Sequence, residues 1–197
     1  MHSTDKETKV DGITLVTGLP RSGTSVMMQM LAAGGLPPLT DNVRAPDSDN
    51  PRGYYEFELV KKTKKDASWI ASAPGKAVKM VHLLLYDLPP DRDYRIIFMK
   101  RDLKEVVASQ GVMLKRLGKE GASLSEAQLI EVYKEQLRQI EGWLLERPNL
   151  RVLMVNYNEL IREPEPVVEA INQFVGGRLE VKAMQKTIDR SLYRQRC

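Results

Sequence analysis

Cysteine and histidine are scarce in this chain of 197 residues. The single cysteine is the last residue, Cys197, so the sequence offers neither a disulfide framework nor a cysteine-based metal site. Only two histidines are present, and they join no cluster with the spacing of metal ligands. We therefore expect a protein without disulfides that needs no metal.

Long apolar runs are also missing. The longest apolar block lies near MVHLLLY, residues 80–86, and is far shorter than the ~20 residues that span a bilayer. The N-terminal segment MHSTDKETKVDG is polar and lacks the apolar stretch of a secretory signal. We expect a cytoplasmic protein without a membrane span, in which residues 1–11 are disordered.

Neither sign of charge dominates. The chain has 30 Lys and Arg against 26 Asp and Glu, a formal net charge of +4, which suits an anionic ligand without indicating nucleic acid. The cationic run KKTKK, residues 61–65, has no interleaved aromatic residues for base stacking. We interpret it as a solvated helix surface and expect no nucleic-acid partner.

The chain alternates short β-rich runs with longer helical patterns, which is typical of a parallel sheet with crossover helices. Strands are predicted at residues 13–17, 76–84, 94–99 and 151–156. Helices are predicted at residues 24–33, 55–67, from 102 onwards, 125–146 and 165–176. The Pro-, Asp- and Asn-rich segment 36–53 is predicted to be a long, functional loop. These elements predict one three-layer α/β domain over 1–197, with a mostly parallel central sheet flanked by helices.

The first predicted strand leads directly into GLPRSGTS, residues 18–25. Gly18 and Gly23 have the spacing of the nucleotide-binding P-loop G-x-x-x-x-G-K-[ST], but Thr24 stands where that loop has lysine. A glycine loop between a strand and a helix directs backbone N–H groups and the helix N-terminus towards an anion. Arg21 is the nearest cation. A P-loop kinase or nucleotide phosphatase is one interpretation, which the missing lysine weakens.

A second signal for anion binding follows the strand predicted at 94–99. In KRDLKEVVASQ, Arg101 stands at the carboxyl end of the strand, where open α/β sheets bind ligands. Ser109 lies eight residues further on, about two helical turns. Asp102 begins the helix, with Glu105 three residues later as in a capping box.

Together these motifs resemble the sulfotransferase family that uses 3′-phosphoadenosine 5′-phosphosulfate. PRSGTS is similar to the family's loop for the 5′-phosphosulfate, and R-D-x-x-E-V-V-x-S to its site for the 3′-phosphate. NYNELIREPEPVVEAINQFVG, residues 156–176, is similar to a later family segment. The resemblance implies that the donor nucleotide is bound by Pro20, Arg21, Ser22, Gly23, Thr24, Ser25, Arg101 and Ser109. The family's C-terminal R-K-G-x-x-G-x-W-K is absent, and Arg190 and Arg194 are candidates to replace it.

The resemblance also implies an activity: transfer of a sulfuryl group to a hydroxyl or amine of a small-molecule, peptide or carbohydrate acceptor, without a metal. The guanidinium of Arg21 effectively never loses its proton, so it suits stabilisation of leaving-group charge. Segments 36–57 and 111–125 are expected to form the acceptor pocket. A non-catalytic module that binds nucleotide or a partner is a further alternative.

The residue that takes the acceptor's proton stays open at this stage. His82 in KMVHLLLYDLP is similar to the family's base histidine, with one extra residue between Lys79 and His82. If this stretch is a strand, side-chain alternation places His82 on the same face of the sheet as Met80. Glu56 in NPRGYYEFE matches the acidic bases of the tyrosylprotein branch by region only, and Asp41 is a third candidate. Lys79 is a candidate to assist at the phosphosulfate.

Overall fold

A computed structural model describes residues 12–41, 43, 45, 47, 53–118, 121 and 123–189. Within them, four strands form one parallel sheet in the order β2-β1-β3-β4. The strands are β1 (Ile13–Gly18), β2 (Ala77–Lys79), β3 (Tyr94–Lys100) and β4 (Leu150–Asn156). The predicted tail 1–11, Arg190, Arg194 and Cys197 lie outside the described residues.

Six α-helices accompany the sheet in the described ranges. They are α1 (Thr24–Ala33), α2 (Leu103–Arg116), α3 (Glu126–Leu145), α4 (Tyr157–Arg162), α5 (Pro164–Val175) and α6 (Val181–Lys186). The helix α3 begins with a complete capping box between Ser125 and Gln128. At the start of α2 the side chain of Asp102 accepts hydrogen bonds from the N–H groups of Lys104 and Glu105.

Two apolar cores lie on opposite faces of the sheet. Alternating residues of β1 and β3 divide between them, with Val16 and Ile97 on one side and Leu15 and Ile96 on the other. The first core is completed by α1, α4, α5 and α6, and the second by α3 and by residues around Trp69. The predicted three-layer α/β fold with a parallel sheet is confirmed.

The sheet order creates a topological switch point between β1 and β3. The chain passes from β1 to β2 on one side, and then crosses to β3 on the other side of β1. Ligands of open α/β sheets bind at the carboxyl ends of the strands at such a point. Gly18 pairs with Met99 across this junction, so the glycine loop and Arg101 emerge side by side.

The helix predicted at 55–67 is wrong. Two short 3₁₀ helices, Glu58–Lys62 and Ser68–Ser72, replace it. The side chain of Thr63 donates to the carbonyl of Val60 at 2.5 Å, and the indole of Trp69 donates to Thr63 Oγ1 at 3.1 Å. Threonine hydroxyls that bond nearby backbone in this way compete with a continuing helix.

The strand predicted at 76–84 ends early, at Lys79. Its pairing with β1 stops after Val16↔Lys79, and one more hydrogen bond joins Met80 N–H to Val16 O at 3.0 Å. β1 continues for two more residues, Thr17 and Gly18, but among the described strands these pair with β3, so the ladder between β1 and β2 ends here. His82 therefore begins a 3₁₀ helix, His82–Asp87, and the strand alternation that grouped it with Met80 does not apply.

No helix in the part of the chain that the structure describes is long and apolar enough to cross a membrane.

Candidate functional site

The loop between β1 and α1 is held in a conformation that ordinary residues avoid. Gly18, Arg21 and Gly23 all have positive φ, with 72° for Arg21. A β-carbon on Gly18 would lie 2.5 Å from the carbonyl oxygen of Met99, and one on Gly23 would lie 2.3 Å from the ring of Tyr157. Glycine is therefore required at both positions. A left-handed arginine costs roughly 1–3 kcal/mol and is typical of functional sites.

Three backbone N–H groups in this loop have no acceptor in the described part of the chain: those of Arg21, Gly23 and Thr24. The N-cap of α1, Gly23, provides no side-chain cap, and the first turn of α1 contains no acidic residue. Ser22 Oγ is buried and also lacks a partner among the described residues. Unpaired N–H groups at a helix N-terminus attract an anion. The loop thus has the donors of a phosphate-binding site.

The second predicted motif contacts this loop directly. Arg101 Nη1 donates to the backbone carbonyl of Arg21 at 3.1 Å, and Arg21 Nε donates to Ser109 Oγ at 2.9 Å. The guanidinium of Arg101 also lies 4.8 Å from the centre of the Tyr157 ring. The structure therefore brings together Arg21, Arg101 and Ser109, which are up to 88 positions apart in the sequence.

A buried carboxylate orients Arg101. Glu105 Oε2 accepts from Arg101 Nε at 2.8 Å, and the Glu105 side chain is only 3% exposed. Its other oxygen accepts from Asn158 Nδ2 at 3.0 Å. Glu105 thus does not complete a capping box with Asp102. The sequence analysis missed Glu105, Tyr157 and Asn158 as site residues, although R-x-x-x-E on a helix and YN directly after β4 were signals for them.

A cleft of about 220 Å³ adjoins the loop. Much of its wall is apolar, with Phe57, Val60, Met80, Val81, Leu84 and Met113. Lys79 reaches into it and donates to Ser25 Oγ and to the carbonyl of Tyr54, both at 2.9 Å. Residues from the predicted acceptor segments 36–57 and 111–125, namely Tyr54, Glu56, Phe57 and Met113, therefore line the cleft beside the glycine loop.

The three candidate bases differ in their access to this cleft. Glu56 lines it, 3.6 Å from the ammonium of Lys61. His82 is not part of the lining and is only 2% exposed. Burial lowers the pKa of His82, while the backbone of Gly18 and the side chain of Gln136 oppose that shift.

Asp41 has a structural role. Its side chain accepts from the N–H of Glu58 at 2.6 Å and from that of Val43 at 3.1 Å. The bond from Glu58 is the main reason that the pKa of Asp41 is lowered. An aspartate that carries two backbone bonds is a weak proton acceptor. The two bonds of Asp41 hold the segment next to Glu56 in place.

The sequence matches the family model of the sulfotransferase domain over residues 11–195. The chain belongs to the sulfotransferase family. A 3-alpha-hydroxysteroid sulfotransferase of Cavia porcellus is 25% identical over 190 residues, which is 89% of this chain and 63% of that protein. This sulfotransferase-family chain therefore spans less than two thirds of that relative's length.

Solved structures of the family share the fold. The sulfotransferase domain from the Synechococcus PCC 7002 olefin synthase has a TM-score of 0.57 and 17% identity, covering 90% of this chain and 77% of that one. Retinol dehydratase in complex with androsterone and the inactive cofactor PAP has a TM-score of 0.51 and 17% identity. The alignment covers 91% of this chain and 63% of that one. Among the residues that the structure describes here, no group of three or more His, Cys, Asp or Glu could hold a metal.

Proposed function

We propose that this chain transfers a sulfuryl group from 3′-phosphoadenosine 5′-phosphosulfate to an acceptor hydroxyl or amine. The contact between the two anion-binding motifs carries the proposal: Arg101 and Ser109 both bond to Arg21 of the loop. A ligand with phosphates at its 3′ and 5′ positions suits two anion sites that are joined in this way. Family membership supports the same donor.

The residues present fit the donor. The unpaired N–H groups of Arg21, Gly23 and Thr24 would hold the 5′-phosphosulfate, together with the hydroxyls of Ser22 and Ser25. Pro20 lines the cleft but has no N–H to donate, and Gln110 holds its carbonyl, so it shapes the loop and does not bind the anion. Arg101 and Ser109 would hold the 3′-phosphate. Bound there, the donor supplies the sulfuryl group. Transfer breaks the sulfur–oxygen bond to the 5′-phosphate and leaves 3′-phosphoadenosine 5′-phosphate, while a sulfur–oxygen or sulfur–nitrogen bond forms to the acceptor, which loses a proton.

In this proposal Arg21 stabilises the leaving group and Glu56 is the general base. Only Nε of Arg21 is hydrogen-bonded within the described part of the chain, so its terminal nitrogens can donate to the bridging oxygen as negative charge develops there. Glu56 takes the acceptor's proton, because it lines the cleft and His82 does not. The apolar wall favours an acceptor with an apolar body next to its hydroxyl or amine.

A nucleotide kinase is less well supported. Asp102, the acid that a metal-dependent mechanism would need, accepts two backbone N–H groups as the cap of α2. Thr24 also leaves the loop without the lysine that binds the outer phosphates of a triphosphate.

Calorimetry with 3′-phosphoadenosine 5′-phosphate tests the proposal. We expect the wild type to bind it without magnesium, and Arg101→Ala to weaken binding about 10- to 150-fold, the effect of losing a hydrogen bond to a charged group. Arg21→Ala should reduce turnover by ~10²–10³ with a smaller loss of affinity. Arg138→Ala, on the exposed side of α3, is the matched control and should bind like wild type.

Binding of magnesium ATP but not of the bisphosphate would overturn the proposal in favour of a kinase or phosphatase. Tight binding of the bisphosphate without turnover on any acceptor would instead identify a non-catalytic nucleotide-binding module.

A further inference from the structure

Gln110 connects the phosphate-binding loop to a helix that has no other part in the site as described. It follows Ser109 on α2 and is only 9% exposed. Its Nε2 donates to the carbonyl of Pro20 at 3.1 Å, and its Oε1 accepts from the phenol of Tyr133, on α3, at 2.6 Å. The side chain thus bridges two elements, and both ends of its amide are bonded.

The bond to Pro20 controls the direction of a loop N–H group. A peptide unit is planar and trans, so its carbonyl and its N–H point in opposite directions. When Gln110 holds the Pro20 carbonyl, the N–H of Arg21 must point away from Gln110. That N–H is one of the three without an acceptor in the described residues. The next carbonyl, of Arg21, is held by Arg101.

Two successive loop carbonyls are therefore each fixed by one side chain from the β3–α2 segment. This arrangement explains how Arg21 is kept at a φ of 72°, because a strained conformation persists only where its surroundings over-determine it.

The carbonyl of Pro20 determines which end of the Gln110 amide faces the loop, because it can only accept, and Tyr133 holds the other end in place. An amide has a donor end and an acceptor end. Nε2 donates to Pro20, and the phenolic O–H donates to Oε1. With the amide turned over, Oε1 would face the Pro20 carbonyl, and two acceptors would oppose each other.

We propose that Gln110 is a positioning residue for the donor loop and that Tyr133 acts through it by holding the Gln110 side chain in place. This inference depends on one part of the proposed function, namely that the loop binds the donor nucleotide.

The experiment is a double-mutant cycle read by calorimetry with 3′-phosphoadenosine 5′-phosphate. Gln110→Leu removes both bonds and should raise Kd about 5- to 30-fold. Tyr133→Phe should raise Kd about 3- to 10-fold in the wild-type background and not at all in the Gln110→Leu background. Gln110→Glu keeps an acceptor for Tyr133 but loses the donor to Pro20, so it should match Gln110→Leu.

Gln139→Leu is the matched control, because Gln139 is exposed on α3 and bonds only to Glu135. Reversible partial unfolding raises the apparent Kd by the reciprocal of the folded fraction. Thermal unfolding of each variant gives that fraction at the titration temperature, and this correction separates folding from positioning. Gln110→Glu serves the same comparison if Gln110→Leu does not fold.

Each outcome is decisive. Wild-type Kd in both Gln110 variants would overturn the positioning role. Equal effects of Tyr133→Phe in both backgrounds would overturn the role of Tyr133. Failure of the wild type to bind the bisphosphate would instead refute the proposed function.

Discussion

Glu56 and His82 show how burial separates two residues that the sequence left as rival candidates. Glu56 lies in the cleft wall, whereas His82 is buried and is not part of that wall. We expect Glu56→Gln to lower turnover by ~10²–10⁴ while the Kd for 3′-phosphoadenosine 5′-phosphate stays unchanged. His82→Asn should lower the melting temperature and leave turnover of the folded fraction within a few-fold.

The measurement is formation of 3′-phosphoadenosine 5′-phosphate with a phenol and an aliphatic alcohol as probe acceptors. Full turnover in Glu56→Gln, combined with a large loss in a well-folded His82→Asn, would assign the proton to His82 instead.

The sequence alone predicted some residues of this site and missed others. Arg101 and Ser109 were predicted because Arg101 follows a predicted strand and the pair matches the family's motif for the 3′-phosphate. Glu105 and Tyr157 had local signals, but their contacts with Asn158 and Gly23, like that of Gln110 with Pro20, join residues distant in the chain. Such contacts depend on how elements pack.

At the scale of elements, the cap of α2 supports the residues at both ends of the second motif. Asp102→Ala removes the acceptor for the N–H groups of Lys104 and Glu105, and should lower the free energy of unfolding by about 0.5–2 kcal/mol. Because Arg101 precedes this cap and Ser109 lies on the same helix, we also expect a several-fold higher Kd for 3′-phosphoadenosine 5′-phosphate.

Ser125→Ala provides the comparison, since Ser125 caps α3 by the same chemistry. Denaturant unfolding should give a similar loss of stability, and calorimetry an unchanged Kd. If both variants changed Kd equally, the effect of Asp102 would be general destabilisation.

The two mispredicted elements depend on contacts that the pattern of their own residues does not show. Apolar pattern predicted a long strand at 76–84, but the ladder between β1 and β2 ends at Val16↔Lys79, while β1 continues along β3 to Gly18. The polar run at 61–65 fitted a helix, but Thr63 donates to Val60, Trp69 donates to Thr63, and the N–H of Glu58 donates to Asp41, which favours short 3₁₀ helices. Elements whose limits depend on their own residues, such as α1 and α3, were predicted within about a residue at each end.

At the scale of the whole molecule, Asp47 joins Tyr54, in the wall of the cleft, to the end of α2. It accepts from the phenol of Tyr54 at 2.7 Å and pairs with Arg116, at the end of α2, at 3.2 Å. We expect Asp47→Asn to raise the KM for the acceptor a few-fold, the effect of one partly exposed ion pair, with no change in the Kd for 3′-phosphoadenosine 5′-phosphate.

Glu131→Gln, which breaks a similar exposed pair with Lys134 on α3, should leave both constants at wild-type values. Steady-state kinetics with the same probe acceptors measures the effect. A higher Kd for the nucleotide in Asp47→Asn would mean that the loop also supports the donor site.

The neighbouring positions of β1 and β3 set the dimensions of the proposed donor site. Parallel partners lie about 4.8 Å apart because main-chain hydrogen bonding imposes that interval. Backbone geometry thus sets the separation of the two anion sites, and side-chain substitutions should change it little. An engineer who seeks a new acceptor can therefore vary apolar residues of the cleft wall such as Val81 and Leu84, keep Glu56, and leave that interval intact.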